Sequence, residues 1–389
     1  MRVLQLHNHH ADKGGAMEVL AHERTLLQEG GHEVEQFTLA PTEQLNLSPL
    51  RAGAKAVWNR EAAAEVKRRI AAFSPDVVHV HTPFPLMSPA VFRAARALGV
   101  PTVTTVHSYR YSCIAATCWR DGHPCEDCVG KRLKLPGVRH RCYHNSLGAS
   151  GALTASLALH RSLGTFQNDV SRYLALTEFS KGLLLRDGIP PERVVVKPNS
   201  VPDPGFVPYP HTDERRMVFA GRLLGIKGVH TLLDAWTRVG GGVKLVIAGD
   251  GPLRGVVEDR ARRDESIEFV GWVEEARVLT QMAAAEVVLV PSEWYEGGLP
   301  LVALRSLAVG TPVVVSDLEN LSEDVVGADA GWAFRVGDAD SLARTLAMLV
   351  ADPALAQSRR ANARRSYVAR YSPRANLRRL EEVYRSVIG

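Results

Sequence analysis

Short apolar blocks alternate along the chain with longer amphipathic stretches, and this pattern predicts strands that take turns with helices. The blocks at 3–7, 76–81 and 101–107 read VLQLH, DVVHVH and PTVTTVH, and each has the length of one buried strand. The stretches at 15–30 and 88–99 carry apolar residues at helical spacing. Regular alternation of the two elements predicts a parallel sheet with helices on both faces.

The alternation begins again in the second half of the chain. Residues 198–216 carry five prolines and are predicted to be a linker, and strand-like blocks return at 216–221, 243–250 and 286–292. A chain of 389 residues is too long for a single hydrophobic core. The sequence therefore predicts an α/β protein with two Rossmann-like, doubly wound domains.

The pattern also predicts where these domains begin and end. We expect an N-terminal domain over 1–205, a C-terminal domain over 206–368, and a last helix within 369–389 that packs back on the N-terminal domain. Residues 108–150 are rich in Cys, Gly and Arg, interrupt the alternation, and are predicted to be an inserted loop. Ligands of open α/β sheets bind outside the carboxyl ends of the strands, so the expected site is a cleft between the domains.

Composition narrows the class of protein. Hydrophobic residues make up 46% of the chain and charged residues 23%, as in ordinary soluble proteins. The apolar run near Met1 is too short for the core of a signal peptide, and no apolar stretch of 18 residues occurs. We therefore expect a cytoplasmic protein.

The net charge of +5 comes largely from two basic runs, 131–144 and 358–379, that contain no acidic residue. Such runs favour peripheral contact with an anionic membrane at its inner face or binding of phosphate groups, and the run 358–379 is equally well a solvated helix face. The apolar-leaning stretch 148–166 next to the first run either rests on lipid or packs against its own domain. No aromatic-rich nucleic-acid module is present in the sequence, so nucleic acid is not an expected partner.

Two candidates for ligand binding lie at the ends of predicted N-terminal strands. Gly14 and Gly15 follow the first strand, where backbone N–H groups and the start of a helix favour an anion, although a tight turn explains them equally simply. His107 ends another strand and is either a hydrogen-bonding partner of a sugar or phosphate oxygen or a plain surface residue.

The C-terminal strands end in more specific groups. Arg222 and Lys227 follow one strand with no carboxylate in the surrounding residues 217–233, which favours binding of a diphosphate. Glu296 follows a later strand, and a phosphate would repel it, so its oxygens are expected to accept hydrogen bonds from hydroxyl groups. Together these groups suit a nucleoside diphosphate that carries a sugar.

With these residues in place, the sequence resembles a known family, the retaining GT-B glycosyltransferases of family four. The resemblance covers essentially the whole chain and rests on the order of its segments, which read KGGAMEVL, DVVHVH, TTVH, LALTEFSKGLLLRDGIPPERVVVKPNSV, FAGRLLGIKG, VIAGDGP and PSEWYEGGLPLVALRSLAVGTPVVVSD. It implies transfer of a sugar from a UDP or GDP sugar to a hydroxyl of a saccharide, a lipid-linked saccharide or a small natural product. It implies no metal or other cofactor for catalysis.

The resemblance also assigns roles to single residues. His107 would contact the transferred sugar, Arg222 and Lys227 would neutralise the diphosphate, and Glu296 would touch the hydroxyls of the donor sugar; these four are the catalytic candidates. The donor-binding candidates, which share part of this set, are Gly14, Gly15, Arg222, Lys227, Glu296, Gly297, Gly298, Leu299 and Arg305.

One position departs from the family pattern. The family carries a second Glu eight positions after the first, which binds the hydroxyls of the nucleotide ribose, whereas this chain has Arg305 near that place. An Arg only donates hydrogen bonds and cannot replace a carboxylate acceptor. Arg305 could contact a phosphate, Glu293 or Glu319 could bind the ribose, or Arg305 could be a surface side chain. The alternative function is a non-catalytic or altered nucleotide-sugar-binding protein.

The inserted loop contains all five cysteines of the chain, among them a C-x-x-C pair at Cys125 and Cys128. Such a pair with two more distant cysteines suits a structural zinc ion, and the other interpretations are free thiols or a disulfide. Comparable inserts in some members of the family imply Cys113, Cys125, Cys128 and Cys142 as the four ligands.

Overall fold

The computed structural model describes residues 1–9, 15–41, 44–205 and 214–389. These residues divide into two units, each held together by its own contacts: unit 1 is Met1–Asn199 with Asn376–Gly389, and unit 2 is Ser200–Ala375. The boundaries of the units thus lie a few residues from the sequence-based ones. Most of the predicted linker, 206–213, lies outside the described residues.

Unit 1 is built on a six-stranded sheet in the order β2-β1-β3-β4-β7-β8, in which every neighbouring pair is parallel. Its strands, with a short hairpin β5-β6 in the insert, are β1 Arg2–Asn8, β2 Glu33–Leu39, β3 Val77–Thr82, β4 Thr102–Val106, β5 Trp119–Arg120, β6 His123–Pro124, β7 Arg172–Ala175 and β8 Val194–Val196. Residues of β1, β3 and β4 are buried on both faces, as in a sheet covered on both sides.

The helices of this unit flank the sheet: α1 Gly15–Glu29, α2 Pro49–Val57, α3 Arg60–Phe73, α4 Ala90–Arg96, α5 Leu135–Arg139, α6 Leu147–Ser162 and α7 Glu178–Arg186. Local sequence sets several of their starts. The side chains of Asn59, Ser146 and Thr177 each accept a hydrogen bond from a backbone N–H in the first turn of the helix that follows.

A buried ion pair joins the insert 108–150 to the rest of unit 1. The ammonium of Lys134 is fully buried and contacts Asp187 Oδ1, beyond the end of α7. The guanidinium of Arg161 in α6 donates to the same oxygen at 3.1 Å. Two cations therefore share one carboxylate beneath the insert.

The last helix, α15 Pro373–Ile388, begins in unit 2 and continues into unit 1. Its apolar side chains cover part of the unit 1 sheet in a cluster formed by Val3, Leu27, Val77, Val103, Leu174, Leu380, Val383 and Tyr384.

Unit 2 has a second six-stranded parallel sheet, in the order β11-β10-β9-β12-β13-β14. Its strands are β9 Arg216–Ala220, β10 Lys244–Ala248, β11 Ile267–Gly271, β12 Val287–Val290, β13 Val313–Ser316 and β14 Gly331–Phe334. The strand order reverses between β9 and β12, and crevices outside the carboxyl ends of strands at such a point are where doubly wound sheets bind ligands.

Helices cover both faces of this sheet: α8 Val229–Trp236, α9 Arg254–Arg263, α10 Glu275–Ala284, α11 Leu301–Ala308, α12 Glu319–Gly327, α13 Ala339–Ala351 and α14 Pro353–Ser366. Two buried clusters, one on each side of the sheet, form its core. The two Rossmann-like domains predicted from the sequence are confirmed. None of the helices in the described ranges is both long and apolar enough to span a bilayer.

Candidate active site

The residues predicted to bind a diphosphate lie at the reversal point of unit 2. Arg222 follows the carboxyl end of β9 and is exposed, and Lys227 ends the short 3₁₀ turn Gly225–Lys227 in the same loop. Glu296 lies in the loop that leaves β12. Because β9 and β12 are neighbours in the sheet, side chains that are 69 residues apart in sequence meet at one edge.

Two glycines allow these loops to pack closely. Gly228 has a φ of +71°, and a Cβ at this position would lie 1.9 Å from the carbonyl oxygen of Pro291, just after β12. A Cβ at Gly249, after β10, would lie 1.9 Å from the carbonyl oxygen of Gly221. Only glycine fits at either position, and the loop that carries Lys227 is thereby held against the end of β12.

Glu296, which is expected to accept hydrogen bonds from hydroxyl groups, pairs with Lys227 in the structure. Its Oε1 lies 2.5 Å from Lys227 Nζ and accepts a hydrogen bond of 2.7 Å from the Ser292 hydroxyl. Its backbone carbonyl accepts a hydrogen bond of 2.7 Å from the amide of Asn320. The absence of carboxylates from residues 217–233 therefore concerns neighbours in sequence only, since Glu296 reaches Lys227 from another loop.

A cavity of about 400 Å³ opens beside these loops, at the carboxyl ends of β9, β10 and β11. Its lining is largely apolar and includes the side chain of Trp272, which is 71% exposed. The polar and charged residues that line it are Arg222, Asp250, Glu275 and Arg305. Such a space, apolar with a few charged groups, suits a small-molecule ligand.

Arg305 lies in this cavity and contacts a carboxylate that the sequence did not suggest. Its Nε donates to Glu275 Oε1 at 2.6 Å, from α11 to the start of α10. Glu293, one of the two substitutes considered for the missing carboxylate, accepts a hydrogen bond of 2.5 Å from the Thr231 hydroxyl. Glu319, the other, is an exposed residue at the start of α12.

The remaining donor-binding candidates of unit 2 are backbone groups. Gly297, Gly298 and Leu299 lie between Glu296 and the first residue of α11. In unit 1, Gly15 is the first residue of α1, and Gly14 lies outside the described residues.

His107 of unit 1 contacts a buried polar cluster that includes His81 and Glu23 and that the sequence did not predict. Its Nε2 lies 3.0 Å from His81 Nδ1, and His81 Nε2 lies 3.0 Å from Glu23 Oε1. Burial, with smaller contributions from His81 and His7, holds the pKa of His107 well below its usual range. The block DVVHVH indicated this cluster, because His79 and His81 are two residues apart in β3 and residues at that spacing lie on the same face of a strand.

The cysteines of the insert do not form the predicted zinc site. In the described part of the chain, the one group of three or more candidate ligand residues with donor atoms within 4.8 Å of one another is Glu23, His79 and His81. Tetrahedral zinc–thiolate bonds of about 2.3 Å require sulfurs closer than that, so Cys113, Cys125, Cys128 and Cys142 do not fit the ion as they are arranged.

Several arginines of the second basic run, 358–379, form ion pairs within unit 2. Arg359, Arg364 and Arg370 form ion pairs with Asp329, Asp203 and Asp324, at 2.9, 2.8 and 2.8 Å. These contacts favour a structural role for the run over a membrane-binding one.

Comparisons with known proteins agree with this architecture. The family model described as Glycosyltransferase Family 4 matches residues 2–203, and the one described as Glycosyl transferases group 1 matches residues 214–352. In the solved structures, Anabaena HepE in complex with UDP has a TM-score of 0.70 at 18% identity and covers 99% of this chain and 100% of its own. That similarity shows the GT-B fold.

Two curated relatives illustrate the range of sequence similarity. A phosphatidyl-myo-inositol mannosyltransferase of Mycolicibacterium smegmatis is 25% identical over 93% of this chain and 86% of its own length. A glycogen synthase of Mycobacterium tuberculosis is 34% identical over 40% of this chain, and the chain spans only 38% of that relative's length. Since the family model covers more than half of the sequence, the chain belongs to glycosyltransferase family 4.

Proposed function

We propose that this protein is a retaining glycosyltransferase that transfers a sugar from a nucleoside diphosphate sugar to a hydroxyl group of an acceptor. The observation that carries the proposal is the position of Arg222 and of the Lys227–Glu296 pair in loops at the reversal point of the unit 2 sheet, beside a largely apolar cavity that Arg222 lines. Family membership favours this activity over that of a non-catalytic binding protein.

The proposed chemistry is stabilisation of a departing diphosphate. As the glycosidic bond to phosphate breaks, negative charge grows on the leaving group and positive charge on the sugar. Arg222 and Lys227 supply fixed positive charge, and the N–H groups at the start of α11 supply further donors. Glu296 accepts hydrogen bonds from sugar hydroxyls, and its pairing with Lys227 keeps both side chains in place.

Retention of the anomeric configuration follows from attack of the acceptor hydroxyl on the face that the diphosphate leaves. The leaving phosphate takes the proton of that hydroxyl, so these steps use no covalent enzyme nucleophile. The resemblance assigns His107 to the transferred sugar. Gly14, Gly15, Gly297, Gly298 and Leu299 are assigned to backbone contacts with the donor.

The donor is proposed to be a UDP or GDP sugar. HepE structures hold UDP and UDP-glucose, and a mannosyltransferase of Mycobacterium tuberculosis that is 38% identical over 119 residues is named GDP-mannose-dependent. The acceptor is proposed to be a saccharide, a lipid-linked saccharide or a small natural product.

The experiment is a titration of UDP, GDP and their sugars by isothermal calorimetry, followed by assays of donor hydrolysis and of transfer. We expect Arg222→Ala to abolish binding of the diphosphate. Arg262→Ala should bind like the wild type, because Arg262 is exposed at the end of α9 and pairs only locally with Asp259. Binding without release of nucleoside diphosphate from any donor would favour the non-catalytic alternative.

A peripheral membrane contact is a second part of the proposal and rests on the insert and the start of α6. Leu133, Leu135 and Leu147 are 52%, 59% and 50% exposed. The exposed basic residues around them in the sequence are Lys131, Arg132, Arg139 and Arg141. Exposed leucines among basic side chains suit an anionic lipid surface at the cytoplasmic face of a membrane.

Flotation with vesicles tests this contact. We expect the wild type to float with anionic vesicles and not with zwitterionic ones, and Leu133→Ser with Leu135→Ser to stay in solution. Leu98→Ser, which removes a 47% exposed leucine beyond α4, is the matched control.

A further inference from the structure

A cavity of about 290 Å³ lies in unit 1, where the insert meets the ends of α6 and α7. The residues that line it include Lys131, Arg132, Arg161, Gln167 and Asp187. Gln167 comes shortly before β7, and Asp187 follows α7 on the way to β8, so both lie in connections that lead into strands. Such connections lie at the amino ends of parallel strands, whereas His107 follows the carboxyl end of β4. The cavity is therefore at the opposite edge of the unit 1 sheet from His107.

A buried carboxylate holds the wall of this cavity in place. Asp187 Oδ1 accepts a hydrogen bond of 3.1 Å from the Arg161 guanidinium and contacts the buried ammonium of Lys134. Arg161 also donates to the backbone carbonyls of Lys131 and Arg132, at 3.3 and 3.4 Å. The backbone that carries Lys131 and Arg132 is thus fixed against α6, while both of these residues are exposed.

Positive charge exceeds negative charge at this cavity. Lys131, Arg132 and Arg161 are cationic, and the one carboxylate that lines it, Asp187, already pairs with Lys134 as well. Within the described ranges, neither Lys131 nor Arg132 forms an ion pair. Burial, and to a smaller extent the charge of Arg132, lowers the pKa of Arg161, while the charge of Asp187 opposes this shift. Like charges gathered at one cavity favour an anionic ligand, which relieves their repulsion.

Two buried oxygens at the same cavity lack hydrogen-bond donors. In the part of the chain that the structure describes, neither Asp187 Oδ2 nor Gln167 Oε1 has a hydrogen-bond partner. Leaving a buried acceptor unpaired is costly, and hydroxyl groups of a ligand would supply the missing donors. A phosphate group alone mainly accepts hydrogen bonds and cannot fill this role. The cavity therefore suits a ligand that carries both a phosphate and hydroxyl groups.

The surroundings of the cavity indicate where such a ligand comes from. A second cavity, of about 520 Å³, shares Arg132 and Arg161 with the first. Its other lining residues include Leu133, Ala158 and Leu159, and Leu133 is 52% exposed. An apolar wall next to a cationic cavity suits an amphipathic molecule, with its phosphate among the cations and its hydrocarbon along the leucines.

We propose that this cavity of unit 1 binds a polyol phosphate, with Lys131 and Arg132 donating to the phosphate oxygens and the two unpaired acceptors receiving hydrogen bonds from the polyol. Ammonium and guanidinium groups are common phosphate ligands. The headgroup of an anionic phospholipid and a soluble sugar phosphate share this chemistry, and the apolar second cavity favours the lipid. None of the residues belongs to the candidate active site, so the inference does not rest on the proposed glycosyl transfer.

The direct test is calorimetric titration with glycerol 3-phosphate, which carries a phosphate and hydroxyl groups. We expect saturable binding, and about tenfold weaker binding of inorganic phosphate, which lacks the polyol. Lys131→Gln with Arg132→Gln should weaken binding of glycerol 3-phosphate by about tenfold or more. The matched control is Arg60→Gln with Lys67→Gln, which removes the same charges from exposed positions of α3.

The titrations also define the results that would overturn the proposal. Either no binding of glycerol 3-phosphate by the wild type or an equal loss of affinity in the two double variants would refute the site. Equal affinities of the wild type for glycerol 3-phosphate and inorganic phosphate would refute the role of Asp187 and Gln167.

Flotation distinguishes the two sources of the ligand. Vesicles of phosphatidylglycerol present the same glycerol phosphate on a lipid, and vesicles of phosphatidylcholine are the control. If the lipid headgroup is the ligand, free glycerol 3-phosphate should release the wild type from phosphatidylglycerol vesicles, and the variant of Lys131 and Arg132 should not float. Binding of glycerol 3-phosphate without such release assigns the site to a soluble sugar phosphate.

Binding of nucleoside diphosphates separates this inference from the proposed function. We expect the variant of Lys131 and Arg132 to bind UDP or GDP with the affinity of the wild type, because neither residue lies in unit 2. Failure of the wild type to bind any nucleoside diphosphate would refute the proposed function and leave the polyol phosphate site standing.

Discussion

Replacement of Gly228 by alanine is the most direct test of how unit 2 positions its charged loop. The new methyl group would lie 1.9 Å from the carbonyl oxygen and 2.8 Å from the carbonyl carbon of Pro291, so one of the two loops must move. The left-handed backbone, φ +71°, adds about 1–2 kcal/mol for a residue with a Cβ. Overpacking of this kind adds about 1–3 kcal/mol, which gives a loss of about 2–5 kcal/mol in the free energy of unfolding.

The assay is thermal unfolding followed by circular dichroism, with calorimetric titration of UDP and GDP. For a domain of the size of unit 2 the loss corresponds to a decrease in Tm of about 5–15 °C. We also expect weaker binding of nucleoside diphosphate, because displacement of the loop separates Lys227 from Glu296. Gly225→Ala is the matched control, since nothing lies within 4 Å of a Cβ at Gly225 in the same loop. Equal Tm values and affinities for the two variants would refute the reasoning.

Three further predictions follow from buried or paired charges. Asp187→Asn should lower the free energy of unfolding by about 3–5 kcal/mol in chemical denaturation, because it leaves the buried ammonium of Lys134 without its counter-charge, and a loss below about 1 kcal/mol would contradict that role. Burial lowers the pKa of His160 from 6.5 to about 4, so between these two pH values the unfolded chain binds a proton that the folded chain does not. The free energy of unfolding should therefore fall by on the order of 3 kcal/mol as the pH is lowered from 6.5 to about 4. His160→Gln should show a shallower fall in the same pH series. Arg305→Glu places two carboxylates together and should weaken binding of nucleoside diphosphate about two- to five-fold by calorimetry, whereas the exchange of Arg305 and Glu275 in a double variant should recover it.

The fold could be predicted from the sequence because its signals are local. Buried strands such as 287–290 and 313–315 consist of apolar residues, and several helices begin after residues that cap them, such as Asn59. The positions of Arg222 and Glu296 followed from the same pattern, since the end of a strand predicts which edge of the sheet a residue occupies. Neither inference requires knowledge of contacts between residues that are far apart in the sequence.

The pairings that complete the sites could not be predicted in this way. Lys227 and Glu296 are 69 residues apart, and Glu23 and Lys197 are 174 apart. Which carboxylate meets which cation depends on strand order, and a single sequence does not show that order. The partner of Arg305 was missed for the same reason.

The path of the last helix has a consequence for synthesis of the chain. Every residue of unit 2 has been translated once residue 375 is added, but Leu380, Val383 and Tyr384, which complete the apolar cluster around Val3, Val77 and Leu174, come later in the chain. Unit 1, whose first 199 residues are synthesised before unit 2, therefore completes its core only after unit 2 has been translated. A product that ends before Leu380 would contain all of unit 2 but would leave apolar surface of unit 1 exposed to solvent and prone to aggregation.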